Sequence, residues 1–270
     1  MDIKDFYVGE NEKPLDKLVT DGGFCGIFRS ITCVGDSLSS GEFEGTHPET
    51  GATTFNDLYD YSWGQYLARM AGIKVQNFSR GGMSAVGYTV NFAYQQRLWD
   101  ADKATQAYII ALGANDITQI LTGKIEFGDV SDINLENYVF NKKTFVGCYG
   151  EIIQRYKIIQ PRAKFFLMTF PRDCGSSEER RELEDKHAEL LYKLAEVFDN
   201  TYVLDMRKYS PEWDPEFKKN YMLGGHMNPM GYALAGKMVA SYIDYIIRKN
   251  PADFKQVGFI GTPHKNTKSV

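Results

Sequence analysis

Short apolar runs alternate with helical patterns along most of the chain. Apolar side chains recur at helical spacing over residues 63–70 and 145–156, which predicts two amphipathic helices. A third helix is predicted from about Ser177, and a fourth begins after Asn228 as its N-cap residue. Five apolar runs predict buried strands, at residues 31–34, 73–76, 107–112, 165–168 and 202–204.

Strands separated by helices favour an α/β fold, with a parallel sheet, right-handed crossovers and helices on both faces. A length of 270 residues suits one such domain, so we expect residues 1–270 to form it, with an N-terminal extension over about 1–25 and a C-terminal tail over about 250–270. Apolar residues in the tail predict that it packs on the body. Two connections, about 38–58 and about 117–142, exceed ordinary loop length and are expected to form the rim or lid of a site.

The composition argues against several classes of protein. The net charge is −4, which gives no basic surface for nucleic acid or anionic lipid. No apolar run is long enough to span a membrane, and the charged first residues lack the apolar segment of an export signal. We therefore expect a cytoplasmic protein with no nucleic-acid and no membrane partner. The four cysteines form no Cys-x-x-Cys pair, so we expect reduced, structural thiols rather than disulfides or metal ligands.

Four segments rich in glycine and polar residues lie in a fixed order along the chain. The first three each follow a predicted strand, and the carboxyl ends of parallel strands meet at one edge of a sheet. The sequence therefore predicts one site at that edge. The segments are Gly-Asp-Ser-Leu at 35–38, Asn-Phe-Ser-Arg-Gly-Gly at 77–82, Gly-Ala-Asn-Asp at 113–116 and Gly-Gly-His-Met-Asn-Pro at 224–229.

Two serines are candidates for a nucleophile. Ser37 follows a strand and a glycine, where a sharp turn can present a reactive hydroxyl. A turn with a helix N-cap explains the same residues equally well. Ser84, two residues after Gly82, is the second candidate. Neither serine has the Gly-x-Ser-x-Gly pattern of the α/β-hydrolase elbow, so that fold is disfavoured.

Asn115 and Gly82 are candidates for an oxyanion hole. The side-chain amide of Asn115 can donate to a developing negative charge, but an asparagine after a strand also suits a helix cap. Glycine at position 82 lets its backbone N–H approach an oxygen with no Cβ in the way, and it also suits an ordinary tight turn.

The choice of a general base is narrow because the chain has only four histidines. His226 stands between a glycine pair and a predicted helix cap, late in the chain, where it can reach Ser37. His187 lies in a charged helical run and His264 in a polar tail, so both are expected in solvent. His47, in the long connection after Ser37, is a weaker alternative.

Together the four segments resemble the motifs of the SGNH hydrolases, the GDSL-type esterases and lipases. The resemblance covers about residues 35–230 and implies a flavodoxin-like α/β/α sandwich with a five-stranded parallel sheet. It implies Ser37 as nucleophile, His226 as base, and an oxyanion hole made by Ser37, Gly82 and Asn115. It removes the case for the second candidate serine, and it implies no cofactor and no metal.

The last segment departs from the family pattern. The family usually has an aspartate three residues before the histidine, whereas this chain has Leu223. Some members use a main-chain carbonyl instead, so the carbonyl of Leu223, or one near it, is expected to hold Nδ1 of His226. A carboxylate from elsewhere, Asp205 or Asp214, is the alternative, and the third triad member stays unassigned at this point.

The predicted function is the hydrolysis of short acyl esters of an O-acetylated carbohydrate or a small alcohol. The short-acyl preference follows from the family resemblance and from polar and aromatic residues expected near the rim. One alternative is a glycan-binding relative that has lost turnover together with the aspartate. Another is a lipase or thioesterase for longer acyl chains, although the sequence has no apolar lid helix. The expected rim residues are Tyr61, Trp63, Arg80 and Arg172.

Overall fold

A computed structural model describes residues 3–264 of the chain, so residues 1–2 of the expected extension and 265–270 of the expected tail lie outside the described part. The strands are β1 (Ser30–Gly35), β2 (Glu42–Thr46), β3 (Thr53–Asp57), β4 (Lys74–Asn77), β5 (Ala107–Ala111), β6 (Lys164–Met168), β7 (Thr201–Leu204), β8 (Met222–Leu223) and β9 (His226–Met227). The helices are α1 (Ser37–Ser40), α2 (Trp63–Ala71), α3 (Ala85–Gly87), α4 (Ala93–Gln95), α5 (Ala114–Leu121), α6 (Phe145–Ile159), α7 (Glu178–Val197), α8 (Met206–Tyr209), α9 (Pro215–Tyr221), α10 (Pro229–Lys249) and α11 (Pro251–Phe254).

Five of these strands form one parallel sheet in the order β4-β1-β5-β6-β7. Counted along the chain, this is the 2-1-3-4-5 order of flavodoxin-like folds. The prediction of an α/β fold with a five-stranded parallel sheet is confirmed, and each strand lies within two residues of its predicted bounds at either end. The order reverses at β1, which pairs with β4 on one side and β5 on the other, so ligands are expected at its carboxyl end.

The side chains of successive strand residues pack into two hydrophobic cores, one on each face of the sheet. On β5, Ile109 packs in the core with α2 and α10, whereas Tyr108 and Ile110 pack in the core with α6 and α7. All three side chains are fully buried. A strand buried on both faces has no polar alternation, which is why the sequence shows continuous apolar runs there.

Side-chain caps fix where the long helices begin. The side chain of Asn228 accepts from the N–H of Gly231 at 2.9 Å and starts α10, as the sequence predicts. Ser177 caps α7 by accepting from Arg180 N at 3.2 Å. Caps of this kind satisfy N–H groups that have no partner within the helix.

The connection at 38–58 is not a loop, as its length suggested, but mostly an antiparallel hairpin of β2 and β3. Its base is tied to the body, because Ser40 Oγ donates to Asp57 at 2.6 Å and Tyr232 donates to the Glu42 carbonyl at 2.7 Å. Phe43, on the inner face of β2, packs against the Tyr232 ring with centroids 5.2 Å apart. The hairpin is therefore held rigidly at the carboxyl edge of the sheet.

The C-terminal segment packs on the opposite edge of the sheet, as predicted. Gln106 Nε2 donates to the carbonyl of Val257 at 2.8 Å, and Arg29 donates to the carbonyls of Gly258 and Ile260. The side chains of Val257 and Ile260 are buried. These bonds satisfy the tail carbonyls while the apolar side chains extend the core.

All four cysteines are free, so the expectation of reduced thiols without disulfides agrees with the structure. Three of them are buried and Cys174 is exposed. No helix between residues 3 and 264 combines the length and apolar character needed to cross a membrane.

Candidate active site

The sheet brings the first two sequence segments side by side at its carboxyl edge. After β4 the chain continues along β1, where Phe78 N donates to the Cys33 carbonyl at 2.8 Å and Arg80 N donates to the Gly35 carbonyl at 3.3 Å. These bonds place the Gly81-Gly82 turn next to the start of α1. The parallel pairing of β1 and β4 thus brings the first and second segments together at the carboxyl edge of the sheet, as the sequence predicts.

Ser37 is the first residue of α1, and Asp36 before it is the N-cap. The Asp36 side chain accepts from Leu38 N at 3.1 Å and so caps α1. The Ser37 hydroxyl takes no part in the cap. The Ser37 side chain is half-buried, and in the described part of the chain its hydroxyl has no hydrogen-bond partner. It can therefore contact a ligand.

Ser84, the rival candidate, is buried and already engaged. Its Oγ accepts from Gly87 N at 3.0 Å and caps α3. Asp116 holds the same turn, since both of its carboxyl oxygens accept from Ala85 N at 3.0 Å. Burial raises the pKa of Asp116 to about 7, although the backbone N–H groups oppose the shift.

Asn115 does not cap the helix that follows it. The N-cap of α5 is Gly113, and no side chain caps that helix. Instead Asn115 Nδ2 donates to the Met83 carbonyl at 3.0 Å and lies 3.5 Å from Asp36 Oδ2. The amide thus joins the second and third segments beside the start of α1.

Two backbone N–H groups of the first and second segments have no acceptor in the described part of the protein. Among residues 3–264, neither the N–H of Ser37 nor that of Gly82 donates to a protein acceptor. Gly82 has φ +71°, a conformation that favours glycine, and a Cβ there would meet nothing within 4 Å. Free N–H groups beside a free hydroxyl are the components of an oxyanion hole.

Burial raises the pKa of Asp36 to about 6, and the Leu38 N–H and the neighbouring His226 act against the shift. The same carboxyl group caps α1 and lies 3.5 Å from Asn115 Nδ2, so it links the first and third segments directly beside Ser37.

His226 lies at the same edge, between two glutamates of the β2–β3 hairpin. Its Nδ1 is 2.9 Å from Glu44 Oε1, and its Nε2 is 3.1 Å from Glu42 Oε1. Strand β2 and helix α1 both pack beside β9, which carries the histidine. In the described structure Nε2 therefore contacts Glu42, and no hydrogen bond joins it to Ser37.

The partner of Nδ1 is a carboxylate, not the main-chain carbonyl that the sequence suggested. Leu223 pairs with His226 in the short β8–β9 hairpin, and its side chain is about half exposed. Asp205 is engaged elsewhere, by Tyr192 and Thr169. Asp214, the other alternative, caps α9. Sequence reasoning does not find Glu44, because the polar, glycine-containing stretch that carries it has the composition of a loop and not of a strand.

His187 is buried, which contradicts the expectation that it lies in solvent. Its Nε2 is 3.0 Å from the Leu112 carbonyl, its ring stacks on Phe170, and its Nδ1 has no partner among the described residues. Burial lowers the pKa of His187 to about 4. The helical run around it is charged, but this position faces the core. His264 is exposed, as predicted.

His47 is not part of this site. It lies in the turn of the β2–β3 hairpin, where its Nδ1 accepts from the N–H groups of Glu49 and Thr50 at 3.3 Å. Its role is to close the turn.

Residues 33–234 match the sequence profile of the GDSL-like Lipase/Acylhydrolase family. The chain belongs to this family. Its members, also called SGNH hydrolases, are in general ester hydrolases, and the four segments around the site are the ones that resemble the family motifs. No curated protein matches the sequence.

Solved structures with low sequence identity share the fold of this GDSL-family chain. A family two carbohydrate esterase from Clostridium thermocellum, in complex with cellohexaose, has a TM-score of 0.55 and 18% identity over 90% of this chain and 66% of its own. A carbohydrate esterase family 2 enzyme with a carbohydrate binding domain, from Corynascus thermopiles (Myceliophthora fergusii), has a TM-score of 0.54 and 15% identity over 80% of this chain and 65% of its own. A possible lipase from Chitinophaga pinensis has a TM-score of 0.51 and 17% identity over 82% of this chain and 98% of its own. This chain therefore spans about two thirds of the length of the two carbohydrate esterases.

The rim of the site in this GDSL-family protein differs from expectation at one residue. Trp63 is buried at the start of α2 and cannot contact a ligand at the rim. Arg80 and Arg172 are exposed, and Tyr61 is about half exposed. Phe55, on β3, adds an exposed aromatic ring whose centroid is 5.9 Å from that of His226.

A small cavity of about 70 Å³ lies behind α1. Asp36, Leu38 and Ala114, the neighbours of Ser37 and Asn115, form part of its wall, and Met168 and Met238 are among its apolar lining residues. Over the described range 3–264, no group of three or more His, Cys, Asp or Glu side chains is placed to hold a metal ion.

Proposed function

We propose that this protein is a serine ester hydrolase in which Ser37 is the nucleophile and His226 is the general base. Ser37 Oγ attacks the ester carbonyl while His226 Nε2 takes its proton, and the carbonyl electrons move to the oxygen. The C–O bond of the ester then breaks, and His226 returns the proton to the leaving alcohol. Water hydrolyses the acyl-Ser37 ester in the same way and restores the enzyme.

The oxyanion of each tetrahedral intermediate would be held by the N–H groups of Ser37 and Gly82 and by Asn115 Nδ2, which must exchange its 3.5 Å contact with Asp36 for the oxyanion while it keeps the Met83 carbonyl. The observation that carries the proposal is the accessible Ser37 hydroxyl, free of protein partners, beside two backbone N–H groups that are also free. Each donor removed from such a site typically costs on the order of 10²–10³ in kcat. No step needs a cofactor or a metal ion.

For the substrate we propose short acyl esters, of an O-acetylated carbohydrate or a small alcohol. The preference for short acyl groups rests on the resemblance to the family and on the absence of an apolar lid helix in the sequence. Tyr61 and Phe55 are exposed aromatic residues, and Arg80, two residues before Gly82, is an exposed cation. Aromatic and polar side chains of this kind are suited to binding sugars. Carbohydrate esterases share the fold, which makes acetylated sugars the first substrates to test.

One observation favours a second candidate, a glycan-binding protein without turnover. Nε2 of His226 contacts Glu42 rather than Ser37, so the structure contains no formed Ser-His pair. An enzyme must exchange Glu42 for Ser37 when substrate binds, whereas a binding protein need not. Labelling of the serine distinguishes the two candidates.

The experiment is covalent labelling with a fluorophosphonate, followed by assays on p-nitrophenyl esters of increasing chain length and on acetylated sugars. We expect labelling at Ser37, its loss in Ser37→Ala, and the fastest hydrolysis for the shortest acyl groups. Ser84→Ala is the matched control and should still be labelled, because Ser84 only caps α3. A wild-type protein that resists labelling would favour the binding protein, and labelling of Ser37→Ala at Ser84 would overturn the choice of nucleophile. Faster hydrolysis of long chains would favour a lipase or thioesterase.

A further inference from the structure

Glu44, on the β2–β3 hairpin, contacts Nδ1 of His226. In the family pattern an aspartate three residues before the histidine usually serves this nitrogen. Glu44 Oε1 lies 2.9 Å from His226 Nδ1 and accepts the N–H of Gly225 at 2.5 Å. One oxygen thus contacts both the imidazole and the backbone just before it. Such a double contact fixes the position and the orientation of the ring.

We propose that Glu44 is the positioning residue for His226, in the place that an aspartate at position 223 would hold. The proposal rests on the esterase function proposed above. A carboxylate only accepts hydrogen bonds, so it keeps the proton of the neutral ring on Nδ1 and leaves the lone pair of Nε2 available for the serine proton. Its negative charge then stabilises the imidazolium that forms during attack.

The glycine pair before His226 makes the approach of Glu44 possible. Gly224 has φ +65°, and a Cβ at this residue would overlap Glu44 Oε2. A Cβ on Gly225 would lie 3.0 Å from Oε1, closer than ordinary packing allows. The left-handed φ of Gly224 in the two-residue β8–β9 turn already favours glycine, and the carboxylate beside the pair is a second reason for the missing side chains.

The two glutamates that contact the ring are not equivalent. The hydrogen bond with His226 lowers the pKa of Glu44, whereas burial raises the pKa of Glu42. A neutral ring protonated on Nδ1 has only a lone pair at Nε2, so the 3.1 Å contact with Glu42 needs a proton on one of the two groups. Glu42 Oε2 also lies against Gly81, on the side of the second segment. Glu42 thus lies on Nε2, the nitrogen that the Ser37 hydroxyl must reach. Glu44 lies on Nδ1, where it can orient the ring.

The hairpin gives Glu44 a fixed base. Residues 42 and 44 lie two apart on β2, so their side chains point to the same face, while Phe43 between them packs into the core. Tyr232 and Ser40 tie the hairpin to α10 and α1. The ring of Phe55 lies edge-on to His226 from the paired strand. A carboxylate held in this way loses little entropy when it holds the ring.

The test compares three Glu→Gln variants of the same hairpin: Glu44→Gln, Glu42→Gln and Glu49→Gln. Glutamine at 44 can donate as well as accept, so it no longer selects the tautomer with the proton on Nδ1, a loss that costs about 10⁴ in kcat in a serine-histidine-aspartate triad. We expect Glu44→Gln to lower kcat and the rate of fluorophosphonate labelling by about a hundredfold or more, with KM nearly unchanged. Glu42→Gln should change kcat as well, because Glu42 contacts Nε2, but by a smaller factor than Glu44→Gln. Glu49 is exposed in the hairpin turn, and Glu49→Gln should behave as wild type.

A spectroscopic measurement separates positioning from a general structural effect. The ring N–H proton of a histidine bound to a carboxylate gives a proton NMR signal far downfield of ordinary amides. We expect this signal for His226 in the wild type and in Glu42→Gln, and its loss in Glu44→Gln. Gly225→Ala provides a second route, because its φ is not left-handed and its Cβ would lie 3.0 Å from Glu44 Oε1, which pushes the carboxylate away without removing it. It should lower kcat less than Glu44→Gln does and add little to that variant.

The outcomes separate this inference from the proposed function. If Ser37 is labelled in the wild type and Glu44→Gln is labelled equally fast, Glu44 is not the positioning residue but the esterase proposal stands. If Glu42→Gln rather than Glu44→Gln loses the downfield signal and the activity, the roles of the two glutamates are reversed. If the wild type is never labelled at Ser37, the esterase proposal fails, and the inference fails with it.

Discussion

His187 and His226 occupy opposite kinds of environment in one protein. His187 is a residue of α7 that points into the core, against Phe170 and the Leu112 carbonyl, where burial keeps its ring neutral. His226 lies at the edge of the sheet with a carboxyl group on each ring nitrogen. The neighbours of a histidine ring, more than its place on a helix or strand, therefore decide whether it can exchange protons. A ring surrounded by apolar groups resists protonation, whereas a ring beside a carboxylate can accept a proton and return it.

The largest expected effect concerns turnover. We expect His226→Gln to lower kcat by a factor on the order of 10⁴–10⁶, because the variant lacks the imidazole that takes the Ser37 proton and returns it to the leaving alcohol. The melting temperature should change little, since the side chain is near the surface. His187→Gln is the matched variant and should do the reverse, keeping kcat and lowering the melting temperature. Ester hydrolysis and thermal unfolding of both proteins measure this, and a turnover loss in His187→Gln alone would invert the comparison.

A second prediction tests how tightly His187 packs beneath the third segment. Gly113 has φ +139°, and a Cβ there would overlap His187 Nε2. We expect Gly113→Ala to lower the free energy of unfolding by about 4 kcal/mol, from backbone strain and overpacking together. Gly258→Ala is the control, because its Cβ would meet nothing within 4 Å and its φ is ordinary. Urea unfolding decides the matter, and equal stability of the two variants would contradict the packing argument.

The smallest effect is the dependence of stability on pH. The folded-state pKa of His187 is about 4, below its ordinary value of 6.5, so the unfolded chain binds more protons between these two values. The stability due to the neutral ring is complete above about pH 6.5 and is lost as the pH falls towards 4. The wild type should therefore lose about 3 kcal/mol relative to His187→Gln across this window, by the linkage of one pKa unit to 1.36 kcal/mol.

Asp116 serves as a control, because the change of its stability contribution with pH has the opposite sign to that of His187. Its folded-state pKa is raised to about 7 from an ordinary 3.8, so its contribution is complete below about pH 4 and is lost as the pH rises towards 7. Relative to Asp116→Asn, the wild type should become less stable as the pH rises. Urea unfolding at several pH values measures both trends, and parallel curves for wild type and His187→Gln would show that this ring does not titrate on unfolding.

Much of the fold was predictable because its signals are local. Continuous apolar runs such as 107–112 can be buried on both faces only in a covered parallel sheet, and the helical patterns between them require crossovers. The cap of α10 by Asn228 was predictable for the same reason, since the cap and the N–H it satisfies are three residues apart. The placement of Ser37, Gly82 and Asn115 at one edge followed from the strand order alone.

The hairpin of β2 and β3 shows where the local signal became weak. Within residues 42–46 the buried Phe43 stands between two glutamates, and a run of turn-forming residues follows. This pattern is typical of a strand that leads into a hairpin. The acidic, glycine-containing composition resembles that of a loop. What stabilises the strand is Phe43 packing on Tyr232, a contact across about two thirds of the chain that no sequence window contains.

The residue types of the four segments, and the edge of the sheet at which three of them lie, can be read from the sequence, because each of the three directly follows a local strand signal. What surrounds each histidine, including the two glutamates of the β2–β3 hairpin, depends on the packing of the whole chain. Whether a helical histidine faces the core depends on the helix packed against it, and whether a histidine has a carboxylate depends on residues that are 182 positions away in the case of Glu44. Distances of this kind are set by packing of the whole chain, so Glu44 became visible beside His226 only once the hairpin and the β8–β9 turn were folded together.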